Sequence, residues 1–317
     1  MSVTRGLLLS AAGLAAAAFA TSSADATESA AGRYIPGIYA LPGAGIVPPF
    51  PGGYWGVSNA FYHGSATAQI PVGNNDIAFG LEATMWISAL AGIYVPEWDL
   101  PGNWTYAFQM VVPMGWTEAT ADILAFERTD DLSGLGDIQI TPLLFGWHNA
   151  TGNTFFSAGL TITAPTGAYD PDEIAFVGLN YWTFSPTLGF THIDAANGMD
   201  YSMKFGVDVN TENEATDYYS GAMAHLDIAV TKSLTEQFSA GVIAGFLYQF
   251  EDDDSTFADT RPDGFKGRSV AIGPVVKYKA KFDSGREVDF SLSWATELEV
   301  KNRLEGDAVY FNISGKF

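Results

Sequence analysis

The sequence predicts an all-β protein: a transmembrane antiparallel β-barrel of about 12 strands with a Pro/Gly-rich N-terminal segment. Three observations predict it. The chain stops on a strand with two unlike faces: counting back from Phe317, Gly315, Ile313, Phe311 and Val309 are apolar or small, while Lys316, Ser314, Asn312 and Tyr310 between them are polar or amphipathic. A period of two means one greasy and one wet side, and about ten residues is what a tilted strand needs to cross a hydrocarbon layer. Similar alternation recurs from Tyr54 onward. At the other end, Arg5, the uncharged run 6–20 and Ala24-Asp25-Ala26 have the positive, apolar, small-residue order of a secretory signal.

The ends and the composition bound the rest. Cleavage after Ala26 is expected, with Ala18-Phe19-Ala20 as a second site, so residues 1–26 read as a signal peptide. No later run reaches the roughly 18 apolar residues of a spanning helix. There is no cysteine, which excludes thiolate metal and redox sites. The net charge of −21 survives processing, because the removed segment carries one Arg5 and one Asp25; nucleic acid is therefore excluded as a partner. Apolar residues make up 47% and aromatics 14% with no helix-length block, a composition that fits many short amphipathic strands.

Residues 27–53 carry five prolines, Pro36, Pro42, Pro48, Pro49 and Pro51, among many glycines. That density of breakers excludes a regular element, and Tyr34, Ile35, Ile38, Tyr39 and Leu41 argue for packing; the segment is either a periplasmic leader or a plug. Residues 54–317 then read as the barrel. Strands are expected near 54–69, 77–91, 103–114, 136–147, 154–165, 179–192, 200–212, 217–231, 237–250, 268–282, 286–300 and 307–317. Connectors alternate between short, as at 148–152 and 194–199, and long, as at 128–135, 165–178 and 251–267. Short turns face the periplasm in such barrels, so both termini fall on that side.

Register can be read at one hairpin. Lys277, Lys279 and Lys281 share a face with Glu287, Asp289 and Ser291 only if the turn is odd-numbered, as Asp283-Ser284-Gly285 is with Gly285 left-handed. Lys281 then faces Glu287 and Lys279 faces Asp289. Pro142, Pro186 and Pro274 fall inside expected strands, where each must sit at a bulge or a gap in the ladder. Pro186, with Trp182, Phe184, Leu188 and Phe190 around it on the lipid side, is the candidate for a lateral exit.

Chemistry-bearing residues are few. Lys204 and Asp208 share the lumen face of one expected strand with Ser202, and His225 and Asp227 share that of the next. A serine, a histidine and an acid are the parts of an esterase, but no G-x-S-x-G elbow occurs and a wet lumen brings such types together without catalysis. These residues, with Pro186 and Trp182, are therefore read as a substrate pathway rather than a catalytic set. The run 251–254 lacks calcium-loop spacing, and Gly134-Leu135-Gly136-Asp137 is a turn into a strand rather than a phosphate cradle. No metal site, cofactor or enzymatic activity is expected.

Six stretches carry a resemblance: Tyr34 to Pro48, Gly136 to His148, Pro165 to Pro186, Asn210 to Gly221, Phe265 to Tyr278 and Asn302 to Gly306. Together they resemble the outer-membrane family named for the meta-cleavage pathway of phenol degradation. The resemblance implies location in the bacterial outer membrane and kinship with long-chain fatty-acid and aromatic-hydrocarbon channels. It implies a channel or transporter for small hydrophobic, aromatic or lipid-like molecules, with membrane lipid as a partner and barrel-assembly machinery during insertion. A general cation-preferring pore, consistent with the acidic balance, a lipid-active enzyme and a purely structural or receptor barrel are the other readings.

Overall fold

The computed structural model describes residues 32–72, 75–123, 126–255, 258, 263–283 and 285–317. The signal peptide, residues 27–31 and Ser284 of the expected turn lie outside the described residues. The strands are β1 (Gly52–Val72), β2 (Asn75–Val95), β3 (Trp104–Ile123), β4 (Phe126–Leu135), β5 (Gln139–His148), β6 (Thr154–Thr163) and β7 (Thr183–Asp194). They continue as β8 (Met199–Asn210), β9 (Met223–Ser233), β10 (Phe238–Gln249), β11 (Arg268–Lys281), β12 (Glu287–Lys301) and β13 (Glu305–Lys316).

Every strand except β4 belongs to a closed antiparallel ring. β13 pairs with β12 on one side and with β1 on the other, from Tyr54 opposite Lys316 to Ser65 opposite Glu305. Closure leaves no unpaired edge in the ring, which a lipid environment demands.

The two-residue period sorts the side chains as the sequence reading has it. On β13 Val309 and Phe311 are exposed outside and Tyr310 is buried inside; on β10 Val242, Phe246 and Tyr248 point out and Ile243, Leu247 and Gln249 in. On β12 Leu292, Trp294 and Leu298 are exposed, whereas Ser293, Ala295 and Glu297 are buried. An apolar outside around a packed, partly polar inside is the inverse of a soluble fold and suits lipid. Among the described residues no helix is long and apolar enough to cross a membrane.

The β11–β12 hairpin has the expected register: Lys281 faces Glu287, Lys279 faces Asp289 and Lys277 faces Ser291. Phe282 and Arg286 close the turn, and Gly285 is left-handed with φ 79°. Two of the ion pairs are diagonal, Lys279 to Glu287 at 3.4 Å and Lys277 to Asp289 at 3.3 Å. Strand pairs of this kind contribute roughly 0.2–1 kcal/mol each, so they fix register more than stability.

All three strand prolines lie at ladder defects. Pro142 sits in a register shift between Ile140 and Leu143. Pro274 pairs with Val242 on β10 but has no partner on β12. Pro186 pairs with Leu160 on β6, whereas toward β8 the ladder runs from Phe184 to Thr187 without it and without a register change. The last two are gaps rather than bulges.

Two expectations are corrected. Residues 128–135 are not a loop but most of β4, which forms a hairpin with the outer half of β3 from Met114 onward. β4 alternates without a greasy face, with Glu127, Thr129, Asp131 and Ser133 exposed, so the apolar period that marks the other strands is missing. The second correction concerns the course of the segment before β1, the N-terminus itself lying outside the described residues. Phe317 and Gly52 lie at the short-turn rim, but Arg33 lies at the opposite, long-loop rim, beside Tyr181 and the start of β7.

Candidate functional site

Residues 33–51 run through the barrel from the long-loop rim to the short-turn rim. Arg303, in the β12–β13 turn, donates to the Tyr34 carbonyl at 2.8 Å, and the Tyr310 hydroxyl donates to the Pro36 carbonyl at 3.0 Å. Deeper, the Gly37 N–H donates to Asp227 Oδ1 at 2.8 Å, the Gly43 N–H to Ser202 Oγ at 2.8 Å and the Gly45 N–H to Thr191 Oγ1 at 2.9 Å. Prolines and glycines suit such a path: the segment turns on itself, with the Ile38, Ala40, Ala44 and Ile46 N–H groups bonded to its own carbonyls, while those of Gly37, Gly43 and Gly45 find partners on the wall.

Close approach requires glycine at two points. A Cβ at Gly45 would overlap the backbone of Phe190, and one at Gly245 would overlap the backbone of Pro36 and Gly37. The segment therefore lies directly on the wall, with no side chain between.

The candidate pathway residues separate into two groups. Lys204, Asp208, His225 and Asp227 come together on the inner faces of β8 and β9. His225 stacks on Tyr34 with ring centroids 4.4 Å apart, Nε2 lies 3.8 Å from Asp208 and Nδ1 3.9 Å from Asp227. The Lys204 ammonium sits 4.4 Å over the Tyr39 ring. The Ser202 hydroxyl is bound by Gly43, Asp200 and Thr191, so it is not aligned on His225 for nucleophilic chemistry. Pro186 and Trp182 point the other way: Trp182 is exposed on the outer wall beside Phe184 and Leu188. Among the described residues no group of three or more His, Asp or Glu converges as metal ligands.

Sequence reasoning missed Asp137. Its carboxylate, 5% exposed, accepts from Arg33 at 2.6 Å and from the backbone N–H groups of Gly167 and Leu179 at 2.8 Å each. One carboxylate thus ties the start of the lumenal segment to the loop between β6 and β7. That loop folds inward: Ala175 is fully buried, and Phe176, Val177 and Leu179 line the lumen. The available signal was Arg33 itself, the one cation in residues 27–53.

Between segment and wall lies a cavity of about 370 Å³. One side is apolar, with Met85, Ile87, Ala89 and Ala91 of β2, Val111 and Pro113 of β3, and Ile38 and Leu41 of the segment. The other is polar, with Thr141, Thr161, Ser185, Thr187, Lys204 and Asp208.

Outside the spanning strands, the loop between β10 and β11 carries its own ion pairs. The Asp263 carboxyl is held below its ordinary range by the hydrogen bond from Lys301, and the Lys266 ammonium is raised by Asp252. These contacts do not reach the cavity, whose lining includes none of the four residues.

The family described as "Putative MetA-pathway of phenol degradation" matches residues 62–313, most of the chain. The chain belongs to this family. Among solved structures, an outer membrane channel from Pseudomonas putida is similar with a TM-score of 0.65 at 16% identity, covering 90% of this chain and 100% of that one. The transport unit of an autotransporter from Escherichia coli has a TM-score of 0.46 at 8% identity, covering 84% and 90%, too loose a likeness to argue from. No curated protein matches the chain. Family membership, the closed ring and the apolar outer belt make this a β-barrel of the outer membrane.

Proposed function

We propose that this family member is a channel for small hydrophobic or aromatic molecules, with the N-terminal segment as a plug that keeps the lumen shut to bulk solute. The observation that carries the reading is the cavity beside the segment, with its apolar wall on β2 and β3. Ligand sites are mostly apolar concavities of about 300–1,000 Å³ with a few placed polar groups, and this one fits that description. A general cation pore needs a continuous wet path, whereas the segment lies on the backbone of Phe190 and against Gly245.

Lys204, Asp208, His225 and Asp227 form the polar end of the path. The exit is lateral. Ser185 lines the cavity, Pro186 has no ladder partner on β8, and the outer wall around it is Trp182, Phe184 and Leu188. An apolar molecule leaving there enters lipid without crossing water. The test is accumulation of radiolabelled naphthalene by intact cells with and without the protein, with sucrose as the polar control. Faster naphthalene entry at unchanged sucrose entry supports the reading; equal stimulation of both contradicts it.

A further inference from the structure

Lys204 and Asp208 line the same cavity without closing an ion pair. The Lys204 ammonium lies over the face of Tyr39, and among the described residues none of its N–H donors meets an acceptor. Asp208 Oδ1 takes the Ser185 hydroxyl at 2.5 Å and lies 3.8 Å from His225, while among the described residues its other oxygen accepts no hydrogen bond. An unmet donor and an unmet acceptor on one polar wall face an apolar wall of Met85, Ile87 and Val111.

We infer that this cavity is a resting site for a compact neutral amphiphile whose head is a hydroxyl group. A hydroxyl both accepts and donates, so it can take a hydrogen bond from Lys204 and give one to Asp208, while the apolar body lies on β2 and β3. A carboxylate head would be repelled by Asp208 and an ammonium head by Lys204. An ether head satisfies only Lys204, and a bare hydrocarbon leaves both charges without a partner. Discrimination by buried polar groups is strong for this reason: the mismatched ligand leaves them unpaired.

The inference rests on the channel reading for how the ligand arrives, and its test is binding rather than uptake. Purified full-length protein in lipid nanodiscs would be dialysed at pH 7 against naphthalene, 1-methoxynaphthalene, 1-naphthol and 2-naphthoate, with empty nanodiscs subtracted. 1-Naphthol is expected to bind saturably and about 10-fold or more tighter than the other three, the size of a hydrogen bond to a charged group. Asp208→Asn and Lys204→Met should each weaken 1-naphthol toward the naphthalene level, while naphthalene still binds saturably and no more weakly than to the wild type, which also shows that the cavity is intact. Equal affinity for the hydroxyl, ether and hydrocarbon probes would overturn the inference, as would variants that weaken all of them alike. Hydroxyl-specific binding without cellular uptake would instead overturn the channel reading and leave the site standing.

Discussion

Arg33 Nη1 lies 2.6 Å from Asp137 Oδ2, and the same carboxylate holds two backbone N–H groups of the β6–β7 loop. The lumenal segment and the loop above it are therefore fastened at one point. Removing one partner of a buried pair costs about 3–5 kcal/mol, because the other charge is left alone. Asp137→Asn should loosen both elements, seen as flickering ion conductance in planar bilayers and as proteolysis of the loop. The double variant Arg33→Met/Asp137→Asn should be less impaired than the sum of the single ones, since the orphaned charge is gone. Additive effects would mean that the pair is not the fastening.

Glycine contacts set how closely the segment lies on the wall. Gly45→Ala and Gly245→Ala each place a Cβ into backbone, so the segment must lift while the ring, whose ladder is untouched, stays closed. Heat-modifiable migration on gels should be retained and ion conductance should rise several-fold. A silent bilayer from both variants would contradict the seating described above.

Much of this was legible in the sequence because lipid forces a simple rule on every spanning strand. The faces of β10, β12 and β13 follow from period two alone, and the register of Lys279 against Asp289 from that period together with the odd-numbered turn. β4 was not legible, because Glu127 to Ser133 has no apolar face to reveal the period. The direction of the segment was hidden for another reason: Pro and Gly say that it forms no ladder, and nothing about which rim it starts from. Lys204, Asp208, His225 and Asp227 could be grouped by parity on neighbouring strands. Asp137 could not, since its partners Arg33, Gly167 and Leu179 are joined to it only by the closed fold.

Closure depends on the last strand, because β13 is the strand that joins β1 to β12. Deleting residues 308–317 would open two edges in hydrocarbon, where each unsatisfied backbone group costs several kcal/mol. The truncated chain should fail to insert and should be recovered from the periplasm or as aggregate. A membrane-inserted, heat-modifiable truncation would refute the closure argument.

Pro186 tests the lateral exit. Pro186→Val restores an N–H at the gap in the β7–β8 ladder, so the barrel should remain folded and ion conductance unchanged, while naphthalene entry into cells slows by several-fold. Unchanged entry in a well-folded Pro186→Val protein would dispose of the exit.

The central claim, a barrel shut to ions yet open to apolar molecules, is tested most directly by measuring both properties on one preparation. Wild-type protein reconstituted in asymmetric outer-membrane bilayers should give conductance close to the protein-free baseline, while the same protein in cells speeds naphthalene entry. Steady cation-selective conductance from the wild type, without faster naphthalene entry, would contradict the account.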